Sequence, residues 1–299
     1  MTRAWPALAA ARACDAAARV PFVVNGRSVG SVARAQLQAA REAAPGFGFD
    51  GMVLHGEGSP AALSAMLAEA NAALRAAGLI LAWRDEPFAL YDPATLAPLA
   101  TMERAACRFW GTLTLGAHCT GWVADAAGRP ERLWIAQRSA TKATDPGLFD
   151  NLIGGGVPAG QSPADALRRE GWEEAGLRPA QMGGARAGPV LRLQRDIREG
   201  LQHEWLYAFD LQLPADVQPH NQDGEVAGFR CLPVGDAVAL AAGDAMTVDA
   251  ALVTLDFAHR HRLLPPRDAQ RLGARLQALR AAAPLPGGFS GAEWCGQSG

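Results

Sequence analysis

The sequence predicts an α/β protein in two parts: a smaller α+β segment over residues 1–110, then an α/β segment over residues 111–283. Three observations lead there. At 299 residues the chain has room for one large or two ordinary domains. Short apolar runs with strand character are interspersed with helical stretches that carry start and stop signals. One glycine-rich loop feeds a helix with three glutamates on a single face, which marks the second part as the bearer of chemistry.

Taken in order, Ala7 to Ala18 is alanine-rich, but Arg12 and Asp15 interrupt its apolar run. It therefore reads as an amphipathic first helix and not as a signal peptide. Asn25-Gly26 between Pro21–Val24 and Ser28–Val32 reads as a hairpin turn. Arg34 to Ala43 reads as a short helix. Ser59-Pro60 is an N-cap followed by proline at the first helical position, and that helix runs to about Ala77 before Gly78 stops it. Leu79 to Trp83 and Phe88 to Tyr91 read as strands around a polar turn, and Thr101 to Phe109 as a helix.

In the second part, Thr112 to Ala124 and Leu133 to Arg138 read as strands joined by a turn. Ser162-Pro163 caps the glutamate helix and Gly176 ends it. Val190 to Ile197, His203 to Leu213 and Glu225 to Leu232 follow as strands. Val234 to Ala242, Thr247 to Arg262 and Arg267 to Ala283 follow as helices. The Gly-rich tail from 284 to 299 reads as disordered.

Composition narrows the function. Hydrophobic residues make up 49% and charged ones 19%, ordinary for a soluble globular chain. A net charge of −2 gives no general field for nucleic acid. No apolar run reaches the length of a membrane span. Five scattered cysteines, Cys14, Cys107, Cys119, Cys231 and Cys295, include no Cys-x-x-Cys pair. That pattern fits reduced thiols in a cytoplasm, not a disulfide frame or zinc knuckle. The oligomeric state stays open, a homodimer included.

The chemistry concentrates in Gly155-Gly156-Val157-Pro158-Ala159-Gly160-Gln161 and in Arg169-Glu170-Gly171-Trp172-Glu173-Glu174-Ala175-Gly176-Leu177. Glu170, Glu173 and Glu174 stand at i, i+3 and i+4, one helix face. Three packed negative charges repel unless a cation sits among them. The glycine-rich lead-in offers backbone N–H groups suited to phosphate. Together these parts fit metal-assisted attack on a phosphoanhydride. Mg²⁺ prefers oxygen ligands and keeps waters, and Mn²⁺ can take its place. The plain alternative is a solvated acidic face with Arg169 and Glu173 as an i,i+4 pair.

The same residues resemble the Nudix box: Gly, five residues, Glu, seven residues, Arg-Glu-aliphatic-any-Glu-Glu-any-Gly-aliphatic. Gly155, Arg169, Glu170, Glu173, Glu174, Gly176 and Leu177 fall at the matching spacing. Two positions depart. Gln161 replaces a glutamate that braces the loop, and can keep a hydrogen bond without the charge. Gly171 replaces an aliphatic residue, at a cost in helix stability of about 1 kcal/mol relative to Ala. The resemblance implies a mixed-sheet α/β/α sandwich and a diphosphate hydrolase whose metal ligands, and catalytic carboxylates, are Glu170, Glu173 and Glu174. Arg169 there is structural.

Glu225, in Asp223-Gly224-Glu225 at the head of a late strand, is the candidate general base. Arg138 and Lys142 are candidates for the substrate phosphates, together with Gly155 and Gly156 of the loop. Asp150 reads as a loop brace, and His118 as a packed residue or a substrate contact. Trp83, Trp110, Trp122, Trp134 and Trp172 read as core, with one available to stack on a heterocycle.

Further pieces widen the resemblance, from about Phe22 to Leu279. Trp83-Arg84-Asp85-Glu86, Glu103-Arg104, His118, Gly121, Arg138-Ser139, Lys142, Pro146-Gly147, Asp150-Asn151, Gly154 to Gly156, Asn221 to Val226, Asp256-Phe257 and Arg260-His261 look like one branch of the family. That branch has an N-terminal extension and is similar to the Nudix part that some fungi fuse to thiamine pyrophosphokinase. It implies a small-molecule substrate, thiamine diphosphate or its oxo or oxy analogues, cleaved to the monophosphate, with the extension helping to form the pocket. Two rivals are an isopentenyl-diphosphate isomerase-like enzyme, whose loop cysteine is missing here, and a non-catalytic Nudix-like ligand-binding module, which would commonly have lost box glutamates.

Overall fold

The computed structural model of the chain describes residues 5–281. The expected tail lies outside them.

The first helix is short. α1 spans only Pro6–Ala10, and a separate 3-10 turn over Ala16–Ala18 is capped by Asp15, whose carboxylate accepts the Ala17 N–H at 3.0 Å. β1 (Arg19–Val24) and β2 (Arg27–Ala33) pair antiparallel around Asn25 and Gly26. Both turn residues have positive φ, 48° and 74°, as a type I′ hairpin requires. α2 (Leu37–Ala43), β3 (Gly48–Phe49) and β4 (Leu54–Gly56) complete a four-stranded sheet in the order β2-β1-β4-β3 and its cover. α3 (Pro60–Ala76) starts on the Ser59 cap and ends before Gly78, at φ 72°.

Two expectations fail in the next stretch. Residues 79–83 form no strand: Ala82 and Asp85 adopt φ 57°, which breaks a pleat, and the Arg75 guanidinium lies 4.6 Å from the Trp83 ring. The partner of β5 (Pro87–Tyr91) is instead β6 (Pro98–Glu103). Strand pairing therefore claims Thr101 to Glu103, and α4 is confined to Arg104–Trp110, capped by Glu103.

The second part holds β7 (Leu113–Ala124), β8 (Pro130–Arg138), β9 (Phe149–Asp150), β10 (Ile153–Gly156), α5 (Pro163–Ala175) and α6 (Pro179–Met182). Then come β11 (Arg186–Ile197), β12 (Gly200–Gln212), β13 (Val226–Pro233), α7 (Val234–Ala241), α8 (Val248–Arg260), α9 (Pro266–Leu279) and β14 (Arg280–Ala281). At Arg280 the backbone becomes extended, at ψ 135°, so the last helix stops short of its expected end.

The sheet runs β13-β8-β7-β12-β11-β14, with β10 paired to β7 and β9 to β8. β7 and β12 run parallel and their other neighbours antiparallel, so the sheet is mixed. Alternate residues face opposite sides. Cys119, Trp134, Tyr207 and Phe209 pack with Leu167 and Ala175 of α5. Leu133, Ile135, Leu206 and Ala208 pack with Leu252 and Leu255 of α8. The result is an α/β/α sandwich preceded by an α+β segment. Leu8 of α1 and Trp5 just before it also join the α8 side, so α1 packs into the core of the second part.

Gly171 has a local explanation. A β-carbon there would lie 2.9 Å from Met182 Cε and 3.3 Å from Ile153 Cδ1. Met182, on α6, thus fills the volume an aliphatic residue at 171 would occupy, and the flexible thioether suits an irregular gap.

His203 on β12 gives the fold a pH dependence. Burial pushes its pKa down to about 4, against a backbone hydrogen bond with Gly111 that raises it. The unfolded ring titrates near 6.5, so between the two values only the unfolded chain binds the proton. Stability is therefore full above about pH 6.5 and falls as pH drops toward 4, by up to about 3 kcal/mol before screening at the ring's exposed edge. Urea denaturation at pH 7 and pH 4.5 should show this difference shrinking in His203→Gln; an unchanged difference would refute it.

Candidate functional site

The glutamate helix is well started. Ser162 Oγ accepts the Asp165 N–H at 3.1 Å, and Asp165 Oδ2 accepts the Ser162 N–H at 3.2 Å, a reciprocal capping box. Gly176, at φ 63°, closes the other end. Between these caps α5 turns Glu170 and Glu174 inward, 8% and 5% exposed, and leaves Glu173 at the edge.

β10 lies under the two buried carboxylates. Glu174 Oε2 accepts the Gly154 N–H at 2.9 Å. A β-carbon on Gly155 would fall inside the Glu170 carboxylate, so only glycine allows this approach. Burial pushes the Glu174 carboxyl up to about 8; Lys142 opposes the shift and the like charge of Glu170 adds to it. Burial also raises Glu170, against the guanidiniums of Arg169 and Arg104.

Cations of the chain itself meet these charges. Lys142 Nζ lies 3.4 Å from Glu174 Oε1 and also contacts Glu225 Oε2. Arg169 pairs with Glu170 at 2.9 Å and Glu173 at 2.8 Å. Its Nε reaches Gln161 Oε1 only at 3.5 Å, so the loop brace survives as a long hydrogen bond to a neutral acceptor. Among the described residues no three acidic, histidine or cysteine side chains already converge as a ready metal centre. The donor set nevertheless fits a hard dication: two buried carboxylates and a third at the edge, all oxygen, held against glycine backbone.

Glu225 reaches the site from the loop before β13. That loop docks on the end of α5: the His220 N–H donates to the Ala175 carbonyl at 3.0 Å and the Gln222 N–H to that of Glu173 at 2.9 Å. Asp223 Oδ1 accepts the Glu225 N–H at 2.8 Å, making a turn and no catalytic contact. Burial favours the neutral form of Glu225, but hydrogen bonds from Lys142 and Arg84 outweigh it and hold the carboxyl down at about 2. In this arrangement it is ionised and a weak base.

Arg138 is at the site but occupied. It donates to Asp150 Oδ2 at 2.9 Å and to the Thr144 carbonyl at 2.8 Å, which folds the 139–148 loop around it. His118 is buried, 3.2 Å from Asn151 Oδ1, and Asn151 in turn donates to the Ala250 carbonyl and Thr254 Oγ1 of α8. Of the five tryptophans considered, none lines the cavity. That cavity has a volume of about 180 Å³ and is walled by Glu170, Glu174, Glu225 and Lys142 on one side. Its other wall, Leu81, Arg84, Arg104 and Arg108, comes from the N-terminal part. Those arginines were not singled out as site residues by the sequence, because no local spacing ties them to the box.

Two family models match the chain: the NUDIX domain over residues 118–252 and a domain of unknown function, DUF4743, over residues 7–114. Nudix hydrolase 20, chloroplastic, of Arabidopsis thaliana is 35% identical over 195 residues, 64% of this chain and 51% of that one. Nudix hydrolase 24, chloroplastic, of the same plant is 34% identical over 190 residues, 63% of this chain and 52% of that one. The chain thus spans about half the length of these relatives. Among solved structures, DR0079 from Deinococcus radiodurans is 21% identical with a TM-score of 0.43, covering 56% of this chain and 97% of that one. Residues 118–252 thus match the Nudix domain, and the chain is similar over that region to plant Nudix hydrolases.

Proposed function

We propose that the protein is a metal-dependent pyrophosphohydrolase that cleaves a small-molecule diphosphate by attack of water at phosphorus. One observation carries this reading: two buried carboxylates of the box helix, Glu170 and Glu174, face a small cavity that they share with Lys142 and whose other wall bears Arg84, Arg104 and Arg108. Buried like charges are costly unless a cation or a proton joins them. Glu170, Glu173 and Glu174 would hold Mg²⁺, or Mn²⁺, which when bound screens the diphosphate and acidifies a water. Gly154 and Gly155 present backbone close to that point, and Lys142 stands ready to exchange a carboxylate for a phosphate oxygen. Glu225 serves as base once Lys142 and Arg84 turn to substrate, which releases its carboxylate from their hydrogen bonds.

The substrate class we infer is thiamine diphosphate or its oxo and oxy analogues, cleaved to the monophosphate and phosphate. Its support is the likeness of Trp83 to Glu86, Arg138 to Asn151 and Asn221 to Val226 to the thiamine-linked branch. Cys14, Cys107, Cys119 and Cys231 are all free, in keeping with a reducing compartment such as the cytoplasm. Among the described residues no helix is long and apolar enough to cross a membrane. The test is a panel of thiamine diphosphate, oxythiamine diphosphate, ADP-ribose, dinucleotides and isopentenyl diphosphate with Mg²⁺. Phosphate release from the thiamine compounds is expected; release from none of the panel would overturn the activity, and a preference for another member would overturn the substrate.

A further inference from the structure

We propose that Arg104 and Arg108 of α4 form the binding site for the terminal phosphate of the substrate, so that the N-terminal part supplies the anion-binding half of the active site. The inference rests on the hydrolase reading and adds to it which residues receive the phosphate that leaves.

The two arginines are one helical turn apart and share a face of α4. Both line the cavity that holds Glu170, Glu174, Gly154 and Gly155. Arg104 reaches the box itself: its Cζ lies 3.5 Å from the point a β-carbon on Gly156 would occupy, and the Phe88 ring lies 5.5 Å away as support. Among the described residues one ion pair holds it, Nη1 to Glu86 Oε2 at 2.8 Å, which leaves its remaining donors for a ligand. Arg108 is half-buried, and among the described residues no ion pair or hydrogen bond engages its guanidinium.

The other cations near the box already hold carboxylates in the substrate-free protein, and Lys142 and Arg84 must release Glu225 before they reach a ligand. Arg138 is spent on Asp150 and loop carbonyls, Arg169 on Glu170 and Glu173, Lys142 on Glu174 and Glu225, and Arg84 on Glu225 at 2.5 Å. Unspent guanidinium capacity therefore lies on α4, opposite the carboxylates. A diphosphate needs both walls. The phosphate next to the carboxylates shares their cation, and the terminal phosphate, with the larger charge, meets planar donors that match its oxygens bidentately. Glu199 also lines the cavity and is an acidic group that the two guanidiniums must outweigh.

Binding separates this inference from the activity it rests on. Calorimetry with Mg²⁺ and methylenediphosphonate, which cannot be hydrolysed, should give wild-type binding that falls about tenfold in Arg108→Gln and further in the Arg104→Gln/Arg108→Gln double variant. The preference for methylenediphosphonate over methylphosphonate should shrink with it, and Arg108→Lys should recover part of the loss. On a hydrolysed substrate the same variants should raise KM more than they lower kcat, whereas Glu174→Gln should lower kcat. Among the described residues Arg108 has no ion-pair or hydrogen-bond partner to lose, so its variants should fold, which circular dichroism checks. Wild-type affinity in the double variant, or no binding by the wild type, overturns the inference. If binding is lost as expected but no diphosphate is ever hydrolysed, the arginine site stands and the hydrolase reading falls.

Discussion

Glu174→Gln should lower kcat for diphosphate hydrolysis by about 100-fold or more while the protein stays folded. The substitution isolates charge from shape. Glu174 is 5% exposed, and its Oε2 accepts the Gly154 N–H, a bond that a glutamine carbonyl can make equally well. What glutamine cannot do is lose a proton and become the negative oxygen that a dication would bind beside Lys142. Nor does the fold depend on that charge. Burial holds the carboxyl up at about 8, which means the folded chain prefers it neutral near pH 7 when no dication is bound. The metal-free variant should therefore melt no lower than wild type at neutral pH. Phosphate release under saturating substrate, alongside a thermal melt, checks both halves. A variant retaining more than about a tenth of the rate would remove Glu174 from the metal-binding set.

Asp256→Ala should destabilise the fold by about 3 kcal/mol without a comparable effect on catalysis. Asp256 is completely buried at the end of α8. Its Oδ2 accepts Arg260 Nε at 2.6 Å and its Oδ1 accepts Arg280 Nη2 at 3.0 Å. Arg260 continues to Asp210 on β12, at 2.8 Å through Nη2, and His261 Nε2 stands 3.0 Å from Asp210 Oδ2. The network pins the end of α8 to β12 and to β14. Removing one carboxylate leaves two guanidiniums short of a partner; because both arginines are partly exposed, the loss sits at the low end for a buried ion pair. Thermal unfolding should drop by roughly 6 °C or more. Asp256 does not line the cavity, so kcat at 25 °C should stay near wild type. A variant as stable as wild type would show the network to be dispensable.

These two residues also mark how far the sequence could be read. Glu174 was legible because a helix face, two caps and a glycine loop lie within one local stretch, where spacing translates directly into geometry. The hairpin at Asn25-Gly26 and the helix after Ser59-Pro60 were legible for the same reason. Asp256, Arg260 and His261 were visible only as a likeness to a branch of the family, and the structure gives Asp256 and Arg260 a fastening role. Residues 79–83 looked like a strand because they are apolar, yet two left-handed backbone positions and the stacking of Trp83 on Arg75 decide otherwise. Thr101 to Glu103 looked helical, and long-range pairing with β5 overrode that preference. Arg104 and Arg108 escaped notice as site residues because nothing near them in sequence reports the cavity they reach. Contacts made by tertiary packing leave no periodic trace.

The packing of Met182 against Gly171 carries a consequence for how this sequence can vary. A β-carbon at 171 and a thioether at 182 claim the same volume, so the two positions form one steric unit. A bulky aliphatic at 171 alone overpacks the site, and a small residue at 182 alone leaves a void. Made together, the two exchanges restore the volume. The pair should therefore show sign epistasis: each exchange is harmful alone and restores stability when the other is already present, so that the double variant is nearly neutral. Among relatives, the family's aliphatic residue at the position of Gly171 should travel with a small residue at that of Met182, so the departure from the box reflects the neighbour on α6 and not a weakened active site.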